Sequence, residues 1–345
     1  MNKAYFPHIS VITPTLNAAE VLEAELESIR EQEYPQEKIE IIIVDGGSVD
    51  ETLNIARKYN SKIFNNPLKT GEAGKAVGIK KSKGELVALI DSDNILPRKD
   101  WFRRMIAPFK NPEIVGAEPW KYTYRKIGGF IERYCALIGM NDPVIMFYGN
   151  YDKLNILTGK WTEVPLTEID RGNWIEVILE RGKEIPTIGA NGSIFRSSFI
   201  KKAGISDYLF DIDLLVNEVY KNGKLKFAKV KIGIIHTYCE SNVHKFAKKQ
   251  KRRVSDYYYY KDKGYRSVKW SEGRSKILSL VKFSLYSILV FPAFYHAIKG
   301  FIKKPDFAWL FHPLACVITL WCYGTVVISK MFFGINQFNR GGWKQ

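Results

Sequence analysis

The chain has 345 residues, of which 46% are hydrophobic and 26% charged, and its formal net charge is +16. This composition argues against a disordered protein, a collagen-like repeat and a small disulfide scaffold, while the length allows one large domain or two smaller ones. The four cysteines form no Cys-X-X-Cys pair, so neither a zinc cluster nor a disulfide framework is expected, and reduced thiols are predicted.

The first 90 residues alternate between strand-like and helix-like segments. Strands are predicted at residues 8–13, 39–44, 62–64 and 85–90. Helices are predicted at residues 18–32, 48–59 and 73–83, with Ser48 as an N-cap. The alternation predicts a mostly parallel, doubly wound α/β sheet, in which ligands bind beyond the carboxyl ends of the strands.

The chain is less regular between residues 115 and 192, where Tyr and Trp are frequent, and we expect a mixture of strand and helix there. Farther along, residues 211–222 predict a helix that ends at Gly223. Residues 227–235 alternate as a strand that ends at His236.

Two apolar runs lie near the C-terminus, at residues 277–298 and 307–329. As helices each reaches about 33 Å, enough to cross a hydrocarbon core of about 30 Å. They predict a C-terminal pair of membrane-associated helices, and the alternative is a pair of buried helices in a soluble domain. Pro292 and Pro313 predict kinks or helix ends. The basic connector at 299–306 leaves spanning and interfacial arrangements open.

The positive charge is concentrated beside these apolar runs. Residues 1–240 carry 33 basic and 32 acidic groups, residues 241–276 carry 12 and 3, and residues 277–345 carry 7 and 1. A basic segment that adjoins apolar helices is typical of attraction to anionic lipid headgroups. We therefore interpret residues 241–276 as a basic, aromatic, membrane-proximal linker and expect no nucleic-acid partner.

Acidic residues follow two of the predicted strands. Asp91-Ser92-Asp93 comes directly after residues 85–90, and Asp45 comes directly after residues 39–44. Two carboxylates at a strand end can share Mg²⁺ or Mn²⁺ with a diphosphate. Glycines after Asp45 allow the backbone to approach a ligand, and Asp45 could accept a hydrogen bond from a base or ribose. The alternatives are solvated loop acids and an ordinary strand-to-helix turn.

Four segments occur in order between about residues 8 and 236: ISVITPTLNAAEVLEAELESI, IIIVDGGSVDET, GEAGKAVGIKKSKGELVALIDSDN and GANGSIFR. Together they resemble family 2 glycosyltransferases of the GT-A type, which have a Rossmann-like fold. The resemblance implies an inverting transferase that uses a nucleotide-activated sugar and a divalent cation, Mg²⁺ or Mn²⁺. It is specific for the family but not for a particular sugar.

The resemblance also implies which residues bind the donor. The implied nucleotide-sugar site comprises Thr13, Pro14, Thr15, Asn17, Asp45, Lys75, Asp91, Ser92 and Asn191. The implied metal ligands are Asp91, Asp93 and His236. Where the family often has Arg-Asn, this chain has Lys75-Ala76, so a point charge replaces a guanidinium fork. The second acid of the frequent Asp-Asp pair is replaced by Gly46.

The acidic pair that usually supplies the base is replaced here by Phe210-Asp211, followed by Asp213. Matching the downstream pattern makes Asp211 the catalytic base and Asp213 a supporting acid. The alternative is that Asp211 interacts favourably with the dipole of its own helix. Arg252 and Arg253 are expected to bind an acceptor phosphate or the diphosphate, and the alternative is nonspecific attraction to a membrane.

These expectations define three regions. Residues 1–240 form the catalytic domain, with a nucleotide-sugar half at about 1–115 and an acceptor half at about 116–240. The linker at 241–276 and a helical hairpin with a tail at 277–345 follow. The predicted activity is sugar transfer from a UDP- or GDP-sugar to a lipid-linked acceptor at the cytosolic face of a membrane. The acceptor is either a polyisoprenyl phosphate or a lipid-linked glycan.

Two other classes of protein compete with this prediction. A sugar-nucleotide nucleotidyltransferase would also use a parallel sheet and metal-binding acids, but residues 13–20 lack the Gly-rich basic loop that such enzymes usually carry. A catalytically inactive, membrane-bound transferase-like binding protein is the third possibility. The presence of Asp45, Asp91 and Asp93 argues against it.

Overall fold

The computed structural model describes residues 5–189, 191–203, 207–209, 211–266 and 274–334. Its strands are β1 (Ile9–Thr15), β2 (Ile39–Asp45), β3 (Lys62–Asn65), β4 (Leu86–Leu89), β5 (Asn94–Ile95), β6 (Ile114–Tyr122), β7 (Thr167–Asp170), β8 (Trp174–Glu180), β9 (Ser193–Arg196) and β10 (Lys224–His236). Its helices are α1 (Ala19–Arg30), α2 (Thr52–Lys58), α3 (Gly71–Lys81), α4 (Trp101–Ile106), α5 (Phe130–Ile138), α6 (Ile145–Tyr148), α7 (Ser197–Lys202), α8 (Asp211–Asn222), α9 (Val243–Asp262), α10 (Arg274–Leu289), α11 (Phe291–Lys303) and α12 (Phe311–Phe333).

The described chain forms two compact units. The first comprises residues up to 123 together with 165–236, and the second comprises residues 124–164 together with those from 237 onward. The predicted catalytic domain ended at residue 240, close to where β10 and the first unit end. Residues 124–164 fall inside the predicted acceptor half of that domain, yet in the structure they belong to the second unit.

One mixed sheet forms the centre of the first unit, in the order β3-β2-β1-β4-β9-β6-β10-β8-β7, with β5 paired to β10. The pairs β1–β2, β2–β3 and β1–β4 are parallel, as expected from strand–helix alternation. Beyond β4 the sheet is mixed, because β9 runs antiparallel to both β4 and β6 while β10 is parallel to β6. The predicted α/β class is confirmed, with its parallel part confined mainly to the N-terminal half.

Helix α3 lies close against β1 because two of its glycines leave room for the strand. A Cβ atom on Gly78 would overlap the side chain of Ile12, and one on Gly74 would lie 2.8 Å from Pro14 Cβ. Ile12 is fully buried. The close contact between this helix and β1 therefore depends on residues without side chains.

The start of the second helix was predicted too early. Helix α2 begins at Thr52 and its N-cap residue is Glu51, so Ser48 is not a helix cap. The Ser48 hydroxyl instead donates a 2.5 Å hydrogen bond to Asp45 and accepts one from the backbone N–H of Asn17. Ser48 thus ties together the loops that follow β1 and β2.

The second unit is helical, and the predicted hairpin is wrong in one respect. The run at 277–298 is broken at Val290, which has a φ of +60°, and the helices on either side are bent by 88°. Pro292 lies in the first turn of α11, where its missing N–H costs least. The C-terminal region therefore contains three helices, α10, α11 and α12, where two were expected.

Residues Phe307–Phe333 are long and apolar enough to cross a membrane, and 44% of their most apolar stretch is buried within the protein. Their buried face joins a core formed with α5 and α9, including Tyr134, Phe246 and Trp309. All four cysteines are buried and free.

Substitution of two glycines in α3 tests the close packing of this helix on β1. We expect Gly78→Ala to destabilise the protein by about 1–3 kcal/mol, because overpacking a filled core forces its neighbours to move. Gly71→Ala in the same helix is the matched control, since its Cβ would have nothing within 4 Å. Its effect should stay within about 1 kcal/mol. Urea denaturation measures both, and equal stability of the two variants would contradict the packing argument.

Candidate active site

The carboxyl ends of β1, β2 and β4 lie at one edge of the parallel part of the sheet. β1 ends with Thr13-Pro14-Thr15, β2 ends with Asp45, and Asp91 follows shortly after β4. The register pairs Thr15 directly with Asp45. The structure therefore brings together residues that the sequence predicted to share a donor site.

Asp45 organises the loop that follows β2. One of its carboxylate oxygens accepts hydrogen bonds from the hydroxyls of Thr15 (2.9 Å) and Ser48 (2.5 Å). The other accepts bonds from the backbone N–H groups of Gly47 and Ser48, both at 2.8 Å. The carboxylate is 5% exposed. It is thus fixed in place by four donors of its own unit.

Asn17 joins this loop from the other side. Its backbone adopts a positive φ of 52°, a conformation that Asn tolerates better than most residues. Its side-chain oxygen accepts a 2.9 Å hydrogen bond from the N–H of Val49. The first two strand-end loops therefore hold each other in position.

Lys75 and Asp91 form the first charged pair of the site. The Lys75 ammonium lies 3.5 Å from the Asp91 carboxylate, with the lysine side chain 9% exposed and that of Asp91 35% exposed. Lys75 occupies the second turn of α3, whose N-terminal Thr70 accepts a capping hydrogen bond from the N–H of Ala73. A rigid helix thus presents a nearly buried cation beside a partly open carboxylate.

Asp93 and His236 form the second pair. The Nε2 atom of His236 lies 3.3 Å from the Asp93 carboxylate, and the imidazole also lies against the ring of Tyr122 at 5.4 Å. His236 is positioned by antiparallel pairing of its residue with Asn94 in β5. A residue at the end of β10 and one in the loop after β4 therefore meet, as the predicted metal site requires.

Asn191 connects the second half of the sheet to the same loop. It has a φ of +46°, is mostly buried, and donates a 2.8 Å hydrogen bond to the Tyr122 hydroxyl. Its side-chain oxygen accepts a bond of 3.4 Å from Asn94. Ser92, between the two acids, is 2% exposed. Asn191 of the second half of the sheet is thus connected through Asn94 to the loop that carries Asp91 and Asp93.

Helix α8 begins with Asp211, whose side chain lies outside the described residues, as do Phe210 and Ala190. Asp213 is buried. Just before α8, the N–H of Leu209 donates to the carbonyl of Glu72 (3.1 Å) in α3. The segment that leads into α8 is therefore attached to the helix that carries Lys75.

Arg252 and Arg253 lie on α9, in the second unit. Arg253 contacts Asp142 at 3.4 Å and donates a 2.9 Å hydrogen bond to Gln250. It also donates a 3.3 Å hydrogen bond to the backbone carbonyl of Asn141. The expected role of both arginines in binding a phosphate stays a prediction.

The described residues contain no group of three or more His, Cys, Asp or Glu side chains already gathered around a common point. The donor chemistry nevertheless suits a divalent cation, since Asp93 and His236 present a carboxylate and an imidazole 3.3 Å apart. Mn²⁺ accepts this mixture of oxygen and nitrogen ligands. Asp91 lies in the same short loop and is partly open.

The sequence interpretation missed Glu25. Its carboxylate is completely buried in α1 and accepts a 2.8 Å hydrogen bond from the Thr13 hydroxyl, while its second oxygen has no hydrogen-bond partner. Burial raises the pKa of Glu25 well above its ordinary value, and the negative charges of Asp91 and Asp93 raise it further. A signal existed, because Glu25 lies on the apolar stripe of α1, three residues after Leu22.

Tyr122 and Asn94 were also missed. Nothing in the local pattern distinguishes a tyrosine at the end of β6 from an ordinary core residue. Their contacts with Asn191 come from the pairing of β5, β6, β9 and β10, which are distant in sequence.

The comparison with known families agrees with this geometry. Residues 10–161 match the sequence model of Glycosyl transferase family 2. Over this segment, which is a little under half of the chain, the sequence is similar to family 2 glycosyltransferases. The resemblance inferred from the four sequence segments is thereby confirmed.

Curated relatives match part of this chain. Glycosyltransferase AglE of Haloferax volcanii is 31% identical over 142 residues, which cover 39% of this chain and 46% of AglE. The poly(ribitol-phosphate) beta-N-acetylglucosaminyltransferase TarS of Staphylococcus aureus is 34% identical over 96 residues, which cover 26% of this chain and 17% of TarS. The matched part therefore spans less than half the length of these relatives.

A solved structure resembles this chain over most of its length. The mannosyltransferase PcManGT from Pyrobaculum calidifontis, solved in complex with GDP-Man and Mn²⁺, superimposes with a TM-score of 0.53 at 14% identity. The alignment covers 95% of this chain and 88% of PcManGT. At this identity the likeness shows the fold, and it supports the GT-A assignment.

The buried carboxyl of Glu25 predicts a specific dependence of stability on pH. A raised pKa in the folded state favours the protonated form, so the contribution of Glu25 is complete below its unfolded pKa of about 4.3. This stabilising contribution is lost as the pH rises through the pKa that Glu25 has in the folded protein. Glu25→Gln cannot ionise and should not show this loss of stability. Between pH 5 and 8 its free energy of unfolding should therefore increase relative to that of the wild type.

Glu23→Gln on the same helix is the matched control. Glu23 is exposed and pairs with Lys58, whose hydrogen bond lowers the pKa of Glu23. Any stability that it contributes should therefore be lost only at pH values below 5. Denaturant titrations across the pH range measure both variants. Parallel stability curves for Glu25→Gln and the wild type would contradict the assignment.

Proposed function

We propose that the protein transfers a sugar, with inversion, from a UDP- or GDP-linked donor to a lipid-linked acceptor at the cytosolic surface of a membrane. The observation that carries this proposal is the pairing of two strand-end carboxylates with two different partners. Asp91 pairs with Lys75, and Asp93 pairs with His236, at the edge of a sheet that also holds Asp45. The match of residues 10–161 to the family 2 model supports sugar transfer.

Each pair suits a different part of a sugar nucleotide. Asp93 and His236, with Asp91 beside them, would hold Mn²⁺ or Mg²⁺ against the diphosphate, and the cation would supply charge neutralisation as that group leaves. Lys75 is nearly buried on a rigid helix, so its charge would act on a phosphate oxygen with little screening by water. PcManGT was solved with GDP-Man and Mn²⁺, which supports a nucleotide sugar and a metal of this kind.

The loops after β1 and β2 would bind the nucleoside. They are already tied together through Asn17, Ser48 and Asp45, so little ordering is needed when the ligand enters. Asn191 would contact the sugar from the second half of the sheet, where Tyr122 holds its amide in place.

Asp211 would act as the base, and Asp213 in the same helix would be the supporting acid. Inverting transfer needs one group that removes the acceptor proton and one that stabilises the leaving group. The attachment of the segment before α8 to α3 supports this assignment, because α3 also carries Lys75. Arg252 and Arg253 would then bind phosphate groups of the acceptor.

The lipid-linked acceptor is supported by the second unit. Large apolar side chains are exposed along α10, α11 and α12, which is unusual for a protein in water. An enzyme held at a membrane surface meets an acceptor confined to that surface at a high effective concentration.

Donor binding should depend on the metal and on both acids. We expect thermal unfolding of the wild type to shift upward with a UDP- or GDP-sugar and Mn²⁺, by the equivalent of about 2.7 kcal/mol at a ligand concentration of 100 Kd. Asp91→Asn and Asp93→Asn should lose the metal-dependent part of the shift. Asp170→Asn is the matched control, because Asp170 is an exposed β7 carboxylate that pairs with Lys231.

Two results would contradict the proposed donor site. One is an unchanged metal-dependent shift in both acid variants. The other is release of pyrophosphate from a nucleoside triphosphate and a sugar phosphate, which would indicate a nucleotidyltransferase instead.

The effect of Asp211→Asn should reveal the acceptor class. If the acceptor is a sugar hydroxyl, removing the base should slow turnover by about 10²–10⁴-fold at unchanged donor affinity. If it is a polyisoprenyl phosphate, the nucleophile is already anionic and the rate should stay near that of the wild type. Transfer of radiolabelled sugar to each lipid acceptor measures this. A loss of rate with the phosphate acceptor would contradict this division of roles.

A further inference from the structure

The exposed apolar side chains of the described residues are concentrated in the C-terminal helices. Of the 28 large apolar side chains that are exposed, 22 lie between residues 277 and 333. A surface of this kind normally contacts an apolar phase. The positions of the exposed apolar side chains on each helix indicate how the helix contacts that phase.

On α12 the exposed apolar residues form one stripe. They recur at intervals of three, four or seven residues, at Leu310 just before the helix and then at Leu314, Val317, Trp321, Ile328 and Met331. The opposite face is buried as far as Val326, including Ala315, Cys316, Thr319 and Cys322. Up to Val326 the helix therefore offers lipid one side and protein the other, and its last turns, with Val327, Phe332 and Phe333, are exposed on more than one side.

The protein on that other side includes a strongly basic helix. The two helices meet at three points along α12: Phe311 lies against Phe246, Cys322 against Ala247, and Lys330 against Asp262. Helix α9 carries seven Lys and Arg residues. Near the middle of α12, the hydroxyl of Tyr323 donates to Asp142, which also pairs with Arg253.

These contacts oppose a transmembrane orientation of α12. If α12 crossed a bilayer, the charges of α9 and the Asp142–Arg253 pair would be carried toward the hydrocarbon centre, where charged groups are most costly. If α12 lies in the plane of the membrane, α9 stays on the aqueous side of it. Length and hydropathy alone would not distinguish these two arrangements.

Helices α10 and α11 lead to the same conclusion. They have 16 and 13 residues, about 24 Å and 20 Å, so neither alone crosses a core of about 30 Å. Their 88° bend is fixed by the Tyr286 hydroxyl, which forms hydrogen bonds with His296 (2.7 Å) and His312 (2.9 Å). One hydroxyl thus connects α10, α11 and α12.

The outer faces of α10 and α11 are apolar with a few basic residues. Exposed apolar residues include Ile277, Val281, Leu285 and Ile288 on α10 and Phe291, Phe294, Ile298 and Ile302 on α11. Lys282 and Lys299 are exposed on the same helices. The one acid of residues 277–345, Asp306, pairs with Arg133 and is 7% exposed. This charge pattern complements anionic headgroups.

We propose that α10, α11 and α12 insert their exposed apolar stripes into one leaflet of an anionic bilayer and lie in its plane without crossing it. The inference rests on the membrane attachment in the proposed function and specifies its geometry. It makes the protein a monotopic membrane protein, with both ends of α12 on the same side.

Probes of depth along α12 test the orientation. Single cysteines would replace Leu314, Trp321 and Ile328 in the full chain, and each would carry an environment-sensitive fluorophore. The four native cysteines are buried, and labelling of the wild type measures their background. Quenching by lipids brominated at known acyl positions then reports depth in vesicles of phosphatidylcholine with phosphatidylglycerol. Asn54→Cys on α2 is the aqueous control.

We expect the three α12 probes to be quenched equally and at shallow depth, about 5–10 Å below the headgroups. A deep probe at position 321 with shallower probes at 314 and 328 would overturn the proposal in favour of a spanning helix. Unquenched probes together with a dimer in sedimentation would overturn it in favour of a protein interface. The depth measurement uses neither donor nor acceptor. A result that contradicts the membrane orientation would therefore leave the transferase assignment unaffected.

Vesicle binding provides a second measurement. Trp321→Glu should weaken binding to the anionic vesicles about tenfold, because it places a charge on the inserted stripe. Val49→Glu, at an exposed residue of the first unit, is the matched control and should bind as the wild type does. Vesicles of phosphatidylcholine alone should bind the wild type more weakly. Equal binding of both variants would contradict the inserted stripe.

Discussion

Parallel pairing of β2, β1 and β4 is the constraint on which the candidate site depends. Parallel strands end at the same edge of a sheet, so residues far apart in the chain emerge side by side. Thr15 faces Asp45 in the register, and Asp91 follows the next strand. The antiparallel β5–β10 pair then brings His236 to Asn94, beside Asp93. Without this register the carboxylates would be isolated loop acids.

The fold and site differ in how far local sequence could predict them. Buried runs such as residues 39–44 and 85–90 identify strands, because a parallel strand is apolar on both faces. The segments that resemble GT-A enzymes contain Lys75, Asp91 and Asp93, which the structure places at one edge of the sheet, while their role in donor binding stays a prediction. Tyr122 was not predictable, because its contacts depend on long-range strand pairing. The break at Val290 agrees with the kink or helix end predicted from Pro292, although the predicted hairpin treated residues 277–298 as one helix. The burial of Glu25 could have been predicted from the sequence, since a carboxylate on an apolar helical stripe indicates a buried acid.

Glu25 also illustrates a cost of concentrating acids at one sheet edge. Asp91 and Asp93 have partners in Lys75 and His236, but Glu25 lies behind them with one hydroxyl donor. A third negative charge in a water-free position would repel the other two. The raised pKa of Glu25 reduces this conflict, because its protonated form carries no charge.

The charge differs between two parts of the chain, and the difference separates the proposed donor binding from the proposed membrane attachment. Residues 1–240 are almost neutral overall, so the proposed anionic donor would be attracted by local groups such as Lys75 and by the proposed metal ion rather than by a general positive field. The excess positive charge lies in residues 241–345, where it favours anionic lipid. Exposed charges are screened by salt and nearly buried ones much less. Membrane attachment should therefore weaken steeply as the ionic strength rises. The Lys75–Asp91 pair and donor binding should respond only weakly. The affinity for the membrane and the affinity for the donor can therefore vary independently.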